Sequence, residues 1–182
     1  NNLGISYKKL KKYKESESNL LQSITINPNY VNAMVNLGNL KNETYFFKES
    51  IKYYKRAIEL NNKLPSTYLN LANVYQTINE IEEAKKYYIK AITIDETFTI
   101  ADQKLSMLEK YDKDNSHLKS MLEKFKSKDL NDTKKMYLCF GIYKAFNDIK
   151  DYQSSVKYLK LGNKIQRGLL NYDIDFHKSL SK

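Results

Sequence analysis

The order of apolar and polar residues along the chain predicts pairs of short helices. Between residues 31 and 64, apolar residues recur three or four positions apart in two blocks, one around Leu37 and one starting at Phe47. Such spacing places apolar side chains on one face of an α-helix. A polar gap from Lys41 to Tyr45 separates the blocks. The segment is therefore predicted to form two antiparallel helices joined by a short turn.

The same pattern recurs along the chain with a period of 34 residues. Six positions of the repeat keep the same kind of residue: leucine, a small residue, isoleucine or another apolar residue, or a bulky residue. The columns are Leu3, Leu37, Leu71 and Leu105; Gly4, Gly38, Ala72 and Ser106; Ile24, Ile58 and Ile92; Ile26, Leu60 and Ile94; Ser16, Ser50 and Ala84; and Tyr13, Phe47 and Ile81. One helix pair cannot bury its apolar face alone, so successive repeats are expected to stack.

The unit from Pro65 to Phe98 resembles the tetratricopeptide repeat (TPR) family. Its signature-like residues are Tyr68, Leu71, Ala72, Tyr75, Ala84, Tyr88, Ala91 and Ile92. The resemblance covers residues 1–111. It implies an all-α fold, a right-handed superhelical TPR solenoid of antiparallel helix pairs whose first helices line a concave groove.

The register suggests two regions. Residues 1–111 are predicted to be a TPR array, with repeats at about 1–30, 31–64 and 65–98 followed by the start of a divergent unit. After Leu105 the register decays, and residues 112–182 are predicted to form divergent TPR-like helices and a C-terminal capping helix. In this region a helix is expected to begin after Asn131 or Asp132, since both are good N-cap residues.

The C-terminal region also resembles the last repeat of bacterial proteins in which a TPR array precedes a sulfotransferase domain. The residues that carry this resemblance are Phe140, Ala145, Asp151, Tyr152, Gly162, Asn163, Arg167, Tyr172 and Asp173. It implies an alternative function, in which the chain is the substrate-recruiting N-terminal segment of a TPR-containing sulfotransferase. The catalytic domain would then lie outside this chain, which we interpret as part of a longer protein.

Charge and composition narrow the classes of partner. The formal net charge of +10 invites a nucleic-acid reading, but arginine, the residue suited to bidentate phosphate and base contacts, occurs only at Arg56 and Arg167. We therefore expect no nucleic acid, and some preference for acidic partners. No apolar run has the length of a membrane span, so no membrane partner is expected. The single Cys139 excludes an internal disulfide framework and suggests a cytoplasmic protein.

Residues for catalysis are scarce. His117 and His177 have no carboxylate or hydroxyl at an indicative spacing, and Cys139 lies in an apolar helix, as expected of a core residue. Two histidines and one cysteine do not form a recognisable metal site. The chain is predicted not to be an enzyme, with no cofactor and no metal.

Asparagine at repeated positions suggests a binding surface. Asn2, Asn36 and Asn70 share one repeat position, and Asn39 and Asn73 share another three residues later, on the same helical face. An amide supplies donors and an acceptor, so a row of them suits the backbone of an extended peptide. Flanking candidates for the groove are Asn32, Val35, Ser66, Leu69, Gln76, Gln103 and Lys104.

The favoured interpretation is a scaffold module that binds a protein or peptide in the concave groove. Solvated polar positions are the simpler alternative for the asparagines, of which the chain has 19. Peptide-binding TPRs that clamp a carboxylate carry lysines where Val35 and Leu69 stand, which weighs against an acidic C-terminus as ligand. Core packing is expected for Tyr53, Tyr54, Tyr87 and Tyr88, with base stacking as the alternative. A homo-oligomer through exposed solenoid ends is a further alternative.

Overall fold

The computed structural model of the protein describes residues 1–170, and all regular secondary structure in this part of the chain is α-helical. The all-α fold is therefore confirmed. The helices are α1 (Asn2–Lys9), α2 (Tyr13–Ile26), α3 (Val31–Glu43), α4 (Phe47–Leu60), α5 (Pro65–Thr77), α6 (Ile81–Ile94), α7 (Thr99–Ser106), α8 (Ser116–Lys126), α9 (Asp132–Asp148) and α10 (Tyr152–Leu169).

The chain forms two compact units. The first, Asn1–Asp95, contains three helix pairs, α1 with α2, α3 with α4 and α5 with α6, and each pair packs on the next through α2 against α3 and α4 against α5. The second begins at Glu96 and is organised around α9, which packs against α7, α8 and α10. The assignment of residues 112–182 to divergent TPR-like helices stays a prediction.

The repeat columns form the core of the first unit. Leu37 and Leu71 are fully buried. The small column marks a close approach of the paired helices, because a Cβ on Gly38 would lie 2.6 Å from Cε1 of the Tyr54 ring. Ser50, in the second small column, links the same two helices. Its Oγ donates a hydrogen bond of 2.8 Å to the Gly38 carbonyl. Leu3 is instead 56% exposed, because α1 packs mainly against α2.

Tyrosines fill the space between the paired helices. Tyr54 and Tyr88, at the same repeat position, are buried, which confirms their predicted place in the core. Their neighbours Tyr53 and Tyr87 are half-buried, and the Tyr87 ring stacks on that of Tyr75 at a centroid distance of 5.4 Å. Tyrosine in this unit therefore serves packing first.

The predicted polar gap between the two helices, Lys41 to Tyr45, begins too early. Helix α3 continues to Glu43, and Lys41 is buried. Its ammonium lies 2.8 Å from a carboxylate oxygen of Glu17 and 2.7 Å from one of Glu49. Burial lowers the pKa of Lys41, but these two carboxylates outweigh it, so that its pKa lies above the ordinary value. A charged residue thus joins α2, α3 and α4.

The turn inside each helix pair of the first unit, and the turn between α9 and α10, uses one residue in the left-handed backbone conformation. These residues have φ of 57° at Lys11, 64° at Tyr45, 64° at Asn79 and 63° at Lys150. In the second pair, the Phe46 amide donates to the Lys41 carbonyl at 2.8 Å and closes the helix end. Asparagine tolerates this conformation well, whereas a bulky aromatic side chain is strained in it.

Replacing Tyr45 with asparagine is expected to raise the free energy of unfolding by about 0.5–1 kcal/mol. The Tyr45 side chain is 80% exposed, so relief of backbone strain outweighs the lost edge contact with Phe47. The reverse change, Asn79→Tyr, is the matched control and should lower stability by a similar amount. Urea denaturation measures both, and a less stable Tyr45→Asn protein would contradict the prediction.

In the second unit, the predicted start of a helix after Asn131 is confirmed. Oδ1 of Asn131 accepts a hydrogen bond from the Lys134 amide and caps α9. Cys139 is a buried free cysteine, as expected, and burial raises the pKa of its thiol to about 11. Among residues 1–170, no helix is both long and apolar enough to cross a membrane.

Candidate functional site

The predicted asparagines of α3 and α5 lie together in the first unit. Asn36, Asn39, Asn70 and Asn73 are all half-buried, neither sealed in the core nor fully in solvent. In both helices the two asparagines are three residues apart, so both side chains project from one face. We call this set of four residues the asparagine surface.

Hydrogen bonds between repeats hold the asparagine surface in place. Nδ2 of Asn70 donates to Oδ1 of Asn39 at 3.2 Å, which links α5 to α3. The same oxygen accepts from the Tyr54 hydroxyl at 2.6 Å. One repeat further on, the Tyr88 hydroxyl lies 2.7 Å from Oδ1 of Asn73. Core tyrosines on the second helices therefore orient the asparagines on the first helices.

This bonding leaves specific amide groups available. Within residues 1–170, Nδ2 of Asn39 and Nδ2 of Asn73 donate to no protein group, and Oδ1 of Asn36 and Oδ1 of Asn70 accept from none. The surface therefore presents both donors and acceptors at fixed positions. Such a set can bind the alternating carbonyl and amide groups of an extended backbone.

A shallow pocket lies over three residues of this surface, Asn39, Asn70 and Asn73. It has a volume of about 330 Å³ and is lined by Lys8, Asn39, Asn42, Glu43, Tyr54, Asn70 and Asn73. Its lining is mostly polar, with amides, one cation and one carboxylate. A pocket of this size and polarity suits a short stretch of peptide rather than a large apolar cofactor.

An ion pair occupies one side of the pocket. The Lys8 ammonium lies 3.1 Å from a carboxylate oxygen of Glu43, and the Tyr13 hydroxyl donates to the other at 3.0 Å. Partial burial raises the pKa of Glu43, but Lys8 and Tyr13 outweigh it and hold that pKa below its ordinary value. Because Glu43 already neutralises Lys8, an incoming carboxylate has to compete for this cation.

The other predicted groove residues differ in what they offer. Asn2, Asn32 and Ser66 are exposed, Val35 is half-buried, and Leu69 is only 8% exposed and thus presents little surface. Oε1 of Gln76 lies 2.7 Å from the Tyr88 hydroxyl, beside the asparagine surface. Gln103 and Lys104 are half-buried residues of α7, in the second unit.

Sequence reasoning missed part of the pocket lining. Asn42 and Lys8 lie one and two periods before Gln76, respectively, at the same repeat position, so the period of 34 residues already contained the signal. Of these three positions, only Gln76 is among the predicted groove residues. Glu43 gave no such signal, because its role depends on the Lys8 and Tyr13 side chains of the preceding pair.

The second unit contains a buried polar cluster that the sequence did not predict. The Asp102 carboxylate is fully buried and lies 2.8 Å from the Lys124 ammonium and 3.1 Å from Nε2 of His117. Nδ1 of His117 lies 2.7 Å from the hydroxyl of Tyr111. Asp102 stands at the repeat position of Met34 and Tyr68, so a paired carboxylate replaces an apolar core residue.

This cluster has the composition of a structural network. Its carboxylate accepts from two different cationic or imidazole groups, which satisfies a buried charge. In the part of the chain that the structure describes, no group of three histidine, cysteine, aspartate or glutamate side chains is arranged to hold a metal ion. His177 lies outside the described residues.

Comparison with known families identifies the repeats. The family profile described as tetratricopeptide repeat matches residues 1–30 and 65–98, and the profile described as TPR repeat matches residues 47–79. These segments therefore match tetratricopeptide (TPR) repeats. The segments 1–30 and 65–98 coincide with the pairs α1–α2 and α5–α6 of the first unit. A search of curated proteins found no matching relative.

Solved structures share the fold at low sequence identity. The crystal structure of MamA is 18% identical, with a TM-score of 0.67 over 93% of this chain and 98% of that chain. BtubC (BKLC) from P. vanneervenii is 11% identical, with a TM-score of 0.71 over 94% and 80%. The first TPR of Spaghetti (RPAP3) bound to the HSP90 peptide SRMEEVD is 20% identical, with a TM-score of 0.55 over 58% and 83%.

Proposed function

We propose that the TPR unit of residues 1–95 is a protein-binding scaffold that holds an extended peptide segment over the asparagine surface. The observation that supports this most directly is the set of oriented amide groups with unused donors and acceptors on Asn36, Asn39, Asn70 and Asn73. A TPR fold of the same kind binds a peptide in the RPAP3 structure. The mechanism is reversible recognition without catalysis.

Recognition in this proposal is directed at the peptide backbone. Asparagine amides pair with the main chain of any sequence, so affinity comes from the backbone and selectivity from neighbouring side chains. Val35 lies beside these amides and is half-buried, which suits an apolar residue of the ligand.

A preference for acidic partners is a second part of the proposal. The chain carries a formal net charge of +10, which attracts acidic proteins and accelerates their association. This attraction weakens as the salt concentration rises. The pocket itself is no strong carboxylate site, because Lys8 is already paired with Glu43. We therefore expect acidic residues of the ligand to act outside the pocket.

The double change Asn36→Ala with Asn70→Ala is expected to weaken peptide binding about tenfold or more, since two hydrogen bonds of about 1 kcal/mol each are lost. A peptide array identifies the ligand, and titration calorimetry with the selected peptide measures the affinity. The matched control is Asn62→Ala with Asn147→Ala, two exposed asparagines away from the asparagine surface.

Thermal unfolding separates lost binding from lost folding, because Asn70 also bonds to Asn39. A folded double variant with unchanged affinity would falsify the proposal. So would an array on which no peptide binds the native protein.

A further inference from the structure

The solvent face of α10 carries four cations in a row. Lys157, Lys160, Lys164 and Arg167 are all exposed, and their spacing of three, four and three residues keeps them on one side of the helix. With a rise of about 1.5 Å per residue, the row is about 15 Å long. The opposite side of the helix packs on α9, where Gly162 faces Cys139 and Phe140. We call these four residues the cationic row.

In the part of the chain that the structure describes, the cationic row lacks the acidic neighbours that other exposed cations have. On α4, Arg56 lies 2.9 Å from Glu59, and on α6, Lys86 lies 3.2 Å from Glu83. Helix α10, Tyr152–Leu169, has no aspartate or glutamate. Among the described residues, no ion pair involves any member of the row.

Like charges at this spacing repel one another. Each such pair destabilises a helix by about 0.2–0.5 kcal/mol. An anionic surface bound along the row offsets this repulsion, because each cation is then attracted to a nearby negative charge. The row is therefore electrostatically complementary to a linear acidic partner.

An apolar edge runs beside the cationic row. Tyr152 is 61% exposed and Val156 is 45% exposed, and Leu170 follows the helix at the other end, also exposed. Val156 and Leu170 are two heptads apart, so they border the row on the same side. A partner that fits both features has acidic residues next to apolar ones.

We propose that the cationic row of α10 docks an acidic amphipathic helix of a protein partner. The spacing of the row is the spacing of side chains on any α-helix, so a helix with glutamates three and four residues apart matches it charge for charge. Three of the four cations are lysines, and Tyr152 is the exposed aromatic on this helix, which favours a carboxylate partner over a nucleic acid read by arginine and stacking. This surface is separate from the asparagine surface.

The probe is a fluorescein-labelled helical peptide with glutamates at the matching spacing and leucines on the adjacent face. Fluorescence anisotropy measures its binding to the full chain at low and at physiological salt. Changing the four residues to glutamine (Lys157→Gln, Lys160→Gln, Lys164→Gln, Arg167→Gln) is expected to weaken binding about tenfold or more. Glutamine is a good helix former, so α10 should persist.

The control variant removes the same charge elsewhere. Lys48→Gln, Lys52→Gln, Arg56→Gln and Lys90→Gln also exchange three lysines and one arginine, all exposed, and should change affinity less than about twofold. Equal loss in both variants would overturn the proposal, since net charge alone would explain the binding. A scrambled peptide of the same charge should bind more weakly than the matched helix, and equal binding would overturn it too.

Two other polyanions test the assigned partner. A thymidine oligonucleotide and phosphatidylserine vesicles are offered under the same conditions. Tighter binding of either probe than of the acidic helix, lost in the α10 variant, would overturn the assignment to a protein partner. The Asn36→Ala and Asn70→Ala protein should bind the acidic helix normally, so this proposal and the proposed function can fail independently.

Discussion

Replacing Asp102 with alanine is expected to lower the free energy of unfolding by about 3–5 kcal/mol. The carboxylate is fully buried and lies 2.8 Å from the Lys124 ammonium. Without it, Lys124 keeps a mostly buried charge with no counterion, and Nε2 of His117 loses its acceptor. Guanidinium denaturation of the full chain measures the loss.

A second variant separates the lost ion pair from lost volume. Asp102→Leu combined with Lys124→Met replaces the pair by apolar side chains and should recover most of the stability, because neither charge then remains buried alone. If Asp102→Ala costs less than about 1 kcal/mol, the pairing does not stabilise this unit, and the structural interpretation of the cluster is wrong.

Replacing Tyr88 with alanine is expected to cost about 3–5 kcal/mol, the range for removing a large buried side chain. Tyr88 is fully buried and fills the space between α5 and α6. Its hydroxyl also reaches Asn73 and Gln76, so the change should disturb the asparagine surface as well as the core. Thermal and urea unfolding measure the effect, and a loss below about 1 kcal/mol would contradict this packing.

The milder change Tyr88→Phe isolates the hydroxyl and should cost about 1 kcal/mol. Burial raises the pKa of Tyr88 to about 12 in the folded protein. In an unfolded chain the pKa of tyrosine is about 10. Stability from this residue is therefore fully present below that pKa and is lost as the pH rises toward the folded value. The phenylalanine variant should lose less stability in this alkaline range than the native protein, and an unchanged pH dependence would contradict the assignment.

The helices of the first unit followed from sequence because two regularities coincide. Apolar residues repeat at helical spacing within each block, and whole blocks repeat every 34 residues. Small residues such as Gly38 mark where helices touch, and tyrosines such as Tyr54 mark what fills the remaining space. The helix boundaries were harder to predict, as Lys41 shows. A charged residue can be buried when carboxylates from other helices pair with it.

The polar cluster of the second unit was beyond sequence reasoning for a physical reason. Asp102 pairs with His117 and Lys124, which are 15 and 22 residues away, so the partners share no helical face or repeat position. Whether a buried carboxylate is satisfied depends on three-dimensional packing, which the period of 34 does not encode after Leu105.

The resemblance to sulfotransferase-associated TPR regions stays a prediction. Phe140 and Ala145 of that set lie on α9, and Gly162 packs against α9 from α10. Tyr172, Asp173 and the end of the predicted capping helix lie outside the described residues. These positions fit a helix pair, which many repeat proteins share.

The asparagine surface shows what sequence can and cannot give for a site. Repeat position predicted that Asn36, Asn39, Asn70 and Asn73 share a face. Tyr54 and Tyr88 donate hydrogen bonds to this set, and Asn36 donates one to Oδ1 of Asn1. These bonds decide which donors and acceptors remain available, and they are seen only in the structure.

The most direct test of the peptide-binding proposal is to follow the side-chain amide signals of asparagine by NMR in the nitrogen-15-labelled chain while the array-selected peptide is added. We predict that the signals of Asn36, Asn39, Asn70 and Asn73 shift with a common affinity, whereas those of Asn62 and Asn147 stay in place. Saturating binding that leaves the four signals unmoved would contradict the account.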